Sequence, residues 1–194
     1  MNKSQIYAFT FIIFMFFFML QAYAVEQTPL KGEAFPNIPL PFPEKASERE
    51  YLGLTGKGSF KIPQIKAELI ILEIFSMYCP YCQKEAPNLN ELYQIIMKRE
   101  ELKNRIKIIG VGAGNNPFEV DVFRNQYNIQ FPLFSDESYS VHKSVGEVRT
   151  PYFFVIKKTG DKKNTIIYSK VGSIQDPKQF LDMILKECGL KKEE

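Results

Sequence analysis

The chain has no tryptophan, one histidine and three cysteines among its 194 residues. That shortage limits its metal chemistry. Zinc takes four nitrogen or sulfur ligands, usually in two closely spaced pairs. Beyond Cys79 and Cys82 the chain offers only Cys188 and His142, with no second pair. No metal site and no cofactor is implied. An excess of one charge is also lacking, with 25 Lys and Arg against 22 Asp and Glu. Such a balance gives no electrostatic footprint for nucleic acid. Internal repeats are absent.

Charge is missing most clearly at the start, where Lys3 is the only charged residue in the first 24. Ile6 to Leu20 is apolar apart from Thr10, and Ala22-Tyr23-Ala24 puts small residues where a signal peptidase reads. Residues 1–24 therefore read as a secretory signal peptide, cleaved before Val25. The competing reading is an uncleaved anchor over residues 6–25, long enough to span a bilayer. No cysteine stands near the cleavage point to carry a lipid. Either way the mature chain is expected outside the cytoplasm, in the periplasm, where disulfides persist.

What the chain does have is Cys79-Pro80-Tyr81-Cys82. The pair follows a strand-like run, Glu68 to Phe75, and opens a segment of helical periodicity. Positions i and i+3 of a helix share one side, so the two sulfurs can meet in a small loop. Cys79 falls at the helix N-terminus, where unpaired N–H groups and the macrodipole favour a thiolate. The thiolate is the attacking species in thiol–disulfide exchange. A purely structural Cys79–Cys82 disulfide would close a very short loop and constrain the unfolded chain little. A reversible redox disulfide is the better reading of this placement.

The organisation around the motif is that of an α/β domain. Residues 25–58 hold five prolines between Pro29 and Pro43 and read as an extended segment, with a loop or loose hairpin from Gly53 to Gly58. Residues 59–190 form the main domain, and 191–194 a frayed tail. Glu68 to Phe75 is apolar on both faces, as a central strand covered on both sides should be. A helix is predicted from about Pro80 to Arg99 and a second buried strand over Ile106 to Val111. Asn116-Pro117-x-Glu119 predicts a capped helix to about Tyr127. A short strand over Phe131 to Phe134 and a short helix over Ser138 to Val145 follow. Tyr152–Lys157 and Thr165–Lys170 pair as a hairpin about Thr159-Gly160-Asp161, with Lys157-Lys158 and Lys162-Lys163 as its solvated tip. Asp176-Pro177 caps a last helix that Gly189 ends. This order implies parallel crossovers first and an antiparallel pair last.

These residues carry a resemblance to the thioredoxin superfamily, and within it to the exported TlpA/ResA-like thiol–disulfide oxidoreductases. The run Ile70 to Cys82 is similar to that family's strand and active site. Gln83-Lys84-Glu85-Ala86-Pro87 is similar to the segment after its second cysteine, including an acidic residue at Glu85 and a helix-bending proline at Pro87. Arg149-Thr150-Pro151 resembles its cis-proline site, and Gly160 and Gly172 its hairpin and post-strand glycines. The resemblance implies a thioredoxin-like three-layer sandwich: a central mixed sheet flanked by helices, with an extended N-terminal segment. Three positions depart from it. Tyr78 stands where most relatives have tryptophan. Glu73 stands where the TlpA/ResA group has asparagine and thioredoxins a buried aspartate. Pro80-Tyr81 is the dipeptide typical of glutaredoxins.

Roles follow for each candidate. Cys79 is the nucleophile and Cys82 the resolving thiol. Pro80 suits the first helical turn but removes an N–H that would stabilise the thiolate. Glu73 lies six residues before Cys79, on the strand face of Leu69, Ile71 and Phe75. Buried there, its pKa should be raised, fitting it to take the Cys82 proton; the alternative is a strand-end glutamate reaching solvent. Glu85 either tunes the thiols or is an ordinary helix-surface glutamate. Tyr78, Pro80, Tyr81, Thr150 and Pro151 are the candidate substrate-binding residues. The resemblance implies a cis Pro151, with Thr150 bonding an incoming peptide as in strand addition. Cys188 and His142 read as structural.

Three functions compete. The first is an exported oxidoreductase, acting as a reductant on exported protein thiols and disulfides. By resemblance these include apocytochrome c thiols, and a membrane electron-transfer protein reloads the monomeric enzyme. The same residues would serve a disulfide-forming oxidant. The second is a peroxiredoxin-like thiol peroxidase, which shares the fold and the Asp136 loop region. By resemblance its frame is Pro-x-x-x-Thr/Ser-x-x-Cys; Ser76 fits it, and Leu72 stands in place of the proline. The third is a binding or chaperone module without turnover.

Overall fold

The computed structural model describes residues 27–158 and 164–190. The signal-peptide reading, the hairpin tip with Gly160, Lys162 and Lys163, and the tail 191–194 lie outside the described residues. Among the described residues no helix is long and apolar enough to cross a membrane.

In chain order the elements are β1 (Pro39–Pro41), α1 (Ala46–Leu52), β2 (Ser59–Lys61), β3 (Leu69–Phe75), α2 (Pro80–Met97), α3 (Glu100–Lys103) and β4 (Ile106–Ala113). Then come α4 (Pro117–Gln126), β5 (Leu133–Asp136), α5 (Ser140–Ser144), β6 (Tyr152–Lys158), β7 (Asn164–Val171) and α6 (Pro177–Cys188). The main sheet has strand order β5-β4-β3-β6-β7. β3, β4 and β5 run parallel, while β6 is antiparallel to both β3 and β7. β3, which feeds the CxxC motif, is the middle strand, buried along its whole length.

Alternation of side chains along β3 divides the core in two. Leu69, Ile71 and Phe75 pack against α2, α4 and α6, through Leu89, Leu92, Phe123 and Ile184 among others. Ile70, Leu72 and Ile74 face the opposite layer. That layer is built largely from the N-terminal segment: Phe35, Leu40, Leu52, Phe60 and Ile65 are all buried in it. Ala46–Leu52 is a helix within what reads from sequence as extended chain and loop, closed by Gly53 at φ 64°. Its prolines end at Pro43, and Ser47-Glu48-Arg49-Glu50 then offers good helix formers.

Capping signals land where the sequence puts them. Asn116 and Glu119 form a reciprocal capping box, and Asp176 accepts from the Gln179 N–H. β5 begins two residues later than the predicted strand, because Phe131 and Pro132 form its approach. α3 was not anticipated. Lys157 and Lys158 are not a solvated tip: both are half-buried, the Lys157 ammonium donating to the Cys188 carbonyl at 2.8 Å and that of Lys158 to the Ile65 carbonyl. Their aliphatic stems pack while their charged ends reach carbonyl oxygens.

Candidate active site

β3 ends at Phe75, and the chain turns through Ser76–Tyr78 into α2. The turn is fixed from both sides of Met77. Its N–H donates to the Asn115 side chain at 2.9 Å, and its carbonyl accepts from the Gln83 amide at 2.8 Å. Asn115 is fully buried. Neither residue was singled out from the sequence; the only signal was the position of Asn115 at the exit of β4, beside the capping box.

Cys79 is the N-cap of α2, and Pro80 and Tyr81 form its first turn. The Cys79 thiol is part-exposed and donates to the Thr150 carbonyl at 3.4 Å. Burial pushes its pKa up. Hydrogen bonds from the Thr150 side chain, from the Cys82 backbone and thiol and from the Tyr81 backbone outweigh burial and bring it below the ordinary value. Cys82, one turn on, is buried. Burial first, and then the Glu73 carboxylate, drive its pKa far above the ordinary thiol range. The two thiols are therefore unequal: one part-exposed with a lowered pKa, the other buried with a raised one.

Glu73 is only 2 % exposed, and its Oε1 has no hydrogen-bond partner. In the sheet it pairs with Gly110 of β4 and Phe153 of β6. Gly110 leaves room on this face: a Cβ there would come within 2.5 Å of Leu133 and 3.3 Å of Phe75. Burial, and next the charges of Glu85 and Cys79, hold the Glu73 pKa well above the usual carboxylate range. A buried carboxylate with an unpartnered oxygen holds a proton more tightly than one in water, which makes it a stronger base. The strand-end alternative does not hold.

Glu85 is not a surface residue; it is fully buried. Its Oε1 accepts from the Ile174 N–H at 2.8 Å, and its Oε2 from the Ser173 hydroxyl and, at 3.3 Å, from the Asn88 amide. Burial raises its pKa, and these three bonds oppose the rise. The side chain ties α2 to the loop after β7 rather than reaching the thiols through solvent.

The Thr150–Pro151 peptide is cis. Beside it lies a cleft of about 480 Å³ lined by Tyr81 and Lys84 of α2, Arg149 to Pro151, and Val171 to Ser173. Tyr81 is 71 % exposed and Tyr78 65 %. Tyr78 points away from this cleft's lining, its hydroxyl donating to Glu119 at the start of α4. Cys79, Cys82, Glu73, Pro80, Tyr81, Thr150 and Pro151 thus share one region. Cys188 is buried at the far end of α6, its thiol bonded to the Leu185 carbonyl at 3.3 Å. His142 bonds the Val148 carbonyl at 2.8 Å.

A thiol of lowered pKa at a helix start, a buried thiol one turn on and a buried carboxylate beneath thus lie together at the end of the central strand. The chain belongs to the AhpC/TSA family, whose model matches residues 32–176. It is 27 % identical over 124 residues to the thiol-disulfide oxidoreductase ResA of Geobacillus thermodenitrificans, covering 64 % of this chain and 67 % of that protein. It is 29 % identical over 107 residues to the ResA of Bacillus thuringiensis, covering 55 % of this chain and 58 % of that one. The match therefore spans roughly three-fifths to two-thirds of these curated relatives. A solved structure from Chlorobium tepidum, described as a thiol:disulfide interchange protein DsbE, superposes with a TM-score of 0.62 at 18 % identity. That superposition covers 84 % of this chain and all of the other, and it shows the shared thioredoxin-like fold.

Proposed function

We propose that this chain is an exported thiol–disulfide oxidoreductase that reduces disulfides of other exported proteins through Cys79 and Cys82. The observation that carries the reading is the inequality of the two thiols. Cys79, part-exposed and acidified, attacks one sulfur of a substrate disulfide. That S–S bond breaks, the second substrate sulfur leaves as a thiolate, and a mixed disulfide joins Cys79 to the substrate. Cys82 then loses its proton and attacks the Cys79 sulfur. The substrate departs as a dithiol, and Cys79–Cys82 becomes a disulfide. Two electrons pass from this protein to its substrate, and a membrane electron-transfer protein restores the dithiol.

Glu73 takes the Cys82 proton in the second step. Both groups are buried, and the raised pKa of Glu73 makes it a stronger base than a free carboxylate. Glu85 holds the cleft wall, and Thr150, Pro151 and Tyr81 offer the surface on which the substrate chain lies, with Tyr78 and Pro80 at its margins. The reductive direction is supported by Cys82, whose raised pKa adds no thiolate to stabilise the reduced form. A strongly acidified thiol makes a dithiol stable and the couple oxidising. Here burial opposes the fall at Cys79 and raises Cys82.

Residues 1–24 support the exported location, since a charge-poor apolar run ending in Ala22-Tyr23-Ala24 reads as a signal peptide. A peroxidase role is the less favoured reading, because Leu72 replaces the proline of that frame and is itself buried in the central strand. A redox titration of the purified protein tests the proposal. A two-electron couple at about −270 mV or below supports a reductant, and one near about −120 mV makes it an oxidant. Peroxide consumption far above that of a free thiol would favour the peroxidase instead.

A further inference from the structure

The cleft beside Cys79 is charged on one side only. Its lining includes two cations, Lys84 and Arg149, and no carboxylate. Both cations are exposed. Among the described residues neither has an ion-pair partner, whereas Arg99, Arg105 and Arg124 each face a glutamate. Glu85 bonds the cleft residue Ser173, but it is buried and directed at the Ile174 N–H. Glu119, on the other flank of the motif, is occupied by the Tyr78 hydroxyl and the Asn116 N–H. The remaining surface of the cleft is largely apolar, from Tyr81, Pro151 and Val171.

Position links this charge to the chemistry. The Cys79 sulfur lies 3.4 Å from the carbonyl of Thr150, which itself lines the cleft. Tyr81 and Lys84 are three residues apart on α2 and so share a side of the helix. In an extended chain successive residues advance about 3.3 Å. An extended substrate chain bonded to Cys79 can therefore lay its neighbouring residues along the cleft that Lys84 and Arg149 line.

We infer that this cleft selects protein substrates whose reactive cysteine is flanked by acidic side chains, and that Lys84 and Arg149 make the selection. The inference rests on the oxidoreductase reading and names the substrate class of that same site. A carboxylate brought into the cleft meets two cations without ion-pair partners beside an apolar floor. A lysine in the same place meets like charge. The chemistry is the exchange already described, with no further reactant; the charges act on encounter and seating.

The test uses the reduced purified protein and two synthetic peptides. Each carries one cysteine in a mixed disulfide with 2-mercaptoethanol, and the two differ only in Asp or Lys on both sides of that cysteine. Rapid-mixing rates at low ionic strength should favour the Asp peptide by about tenfold. The preference should shrink toward one as salt is raised. The readout is the ratio of the two rates, so a change in intrinsic thiol reactivity cancels. The Lys84→Glu/Arg149→Glu variant should invert the ratio, and the Lys84→Gln/Arg149→Gln variant should bring it close to one. Equal rates in the wild-type protein, or a ratio unmoved by both variants, overturn the inference while leaving the oxidoreductase reading standing. Failure to reduce either peptide overturns that reading and the inference with it.

Discussion

Glu85 on α2 accepts the backbone N–H of Ile174 at 2.8 Å, so one buried carboxylate joins the helix that carries the dithiol to the loop that forms the cleft wall. The same carboxylate is the second-largest influence on Glu73, after burial. Structure and proton chemistry therefore meet in one side chain.

Replacing Glu85 with alanine should cost about 1–3 kcal/mol of stability, because the buried Ile174 N–H loses its acceptor. It should also raise KM for peptide substrates more than it lowers kcat, since the cleft wall is released. Glu85→Gln keeps one acceptor oxygen and should recover most of the stability. Chemical denaturation together with steady-state kinetics checks both. A stability unchanged by the alanine substitution would contradict this role.

Glu73 makes a prediction about pH and stability. Its folded pKa lies well above the 4.5 of a free glutamate, so the folded state binds more protons than the unfolded state above that pH. Stability contributed by this group is therefore complete below about pH 4.5 and falls as pH rises toward the folded pKa, by at most about 1.4 kcal/mol per unit. Glu73→Gln removes the dependence. The variant should match the wild type near pH 4 and be the more stable protein at pH 8, as read from Tm across a pH series. It should also slow resolution by Cys82 at neutral pH while leaving the first attack by Cys79 nearly intact. An unchanged pH profile for resolution would remove Glu73 from the proton path.

Asn115 is expected to matter more than its place in a loop suggests. Asn115→Ala leaves the Met77 N–H without its partner and frees the turn that aims Cys79. A loss of about 1–3 kcal/mol is expected, with slower alkylation of Cys79 at fixed pH. Asn115→Ala with wild-type alkylation kinetics would show that Gln83 alone holds the turn.

Much of this was legible in the sequence. The CxxC motif after a doubly apolar strand located the candidate site. Alternation along β3 placed Glu73 on the core face with Leu69, Ile71 and Phe75, which is where it lies. Local cap signals at Asn116 and Asp176 fixed helix starts, because the capping atoms are neighbours in the chain. What escaped depends on distant chain segments meeting. By helical spacing alone Glu85 could be a surface residue, and two of its partners, Ser173 and Ile174, stand nearly ninety residues away. Asn115 gains its role from Met77, 38 residues earlier. The N-terminal segment carried prolines that argued for extension, yet its apolar residues were needed to cover the second face of the sheet.

The division of labour between Cys79 and Cys82 is tested most directly by trapping. A Cys82→Ser variant, reduced and mixed with a disulfide-bonded protein, should accumulate a covalent mixed disulfide through Cys79 that a reducing agent releases. The Cys79→Ser variant should trap almost nothing, because Cys82 is buried and its thiol resists ionisation. Equal trapping by both variants, or trapped species that require Cys188, would contradict the account.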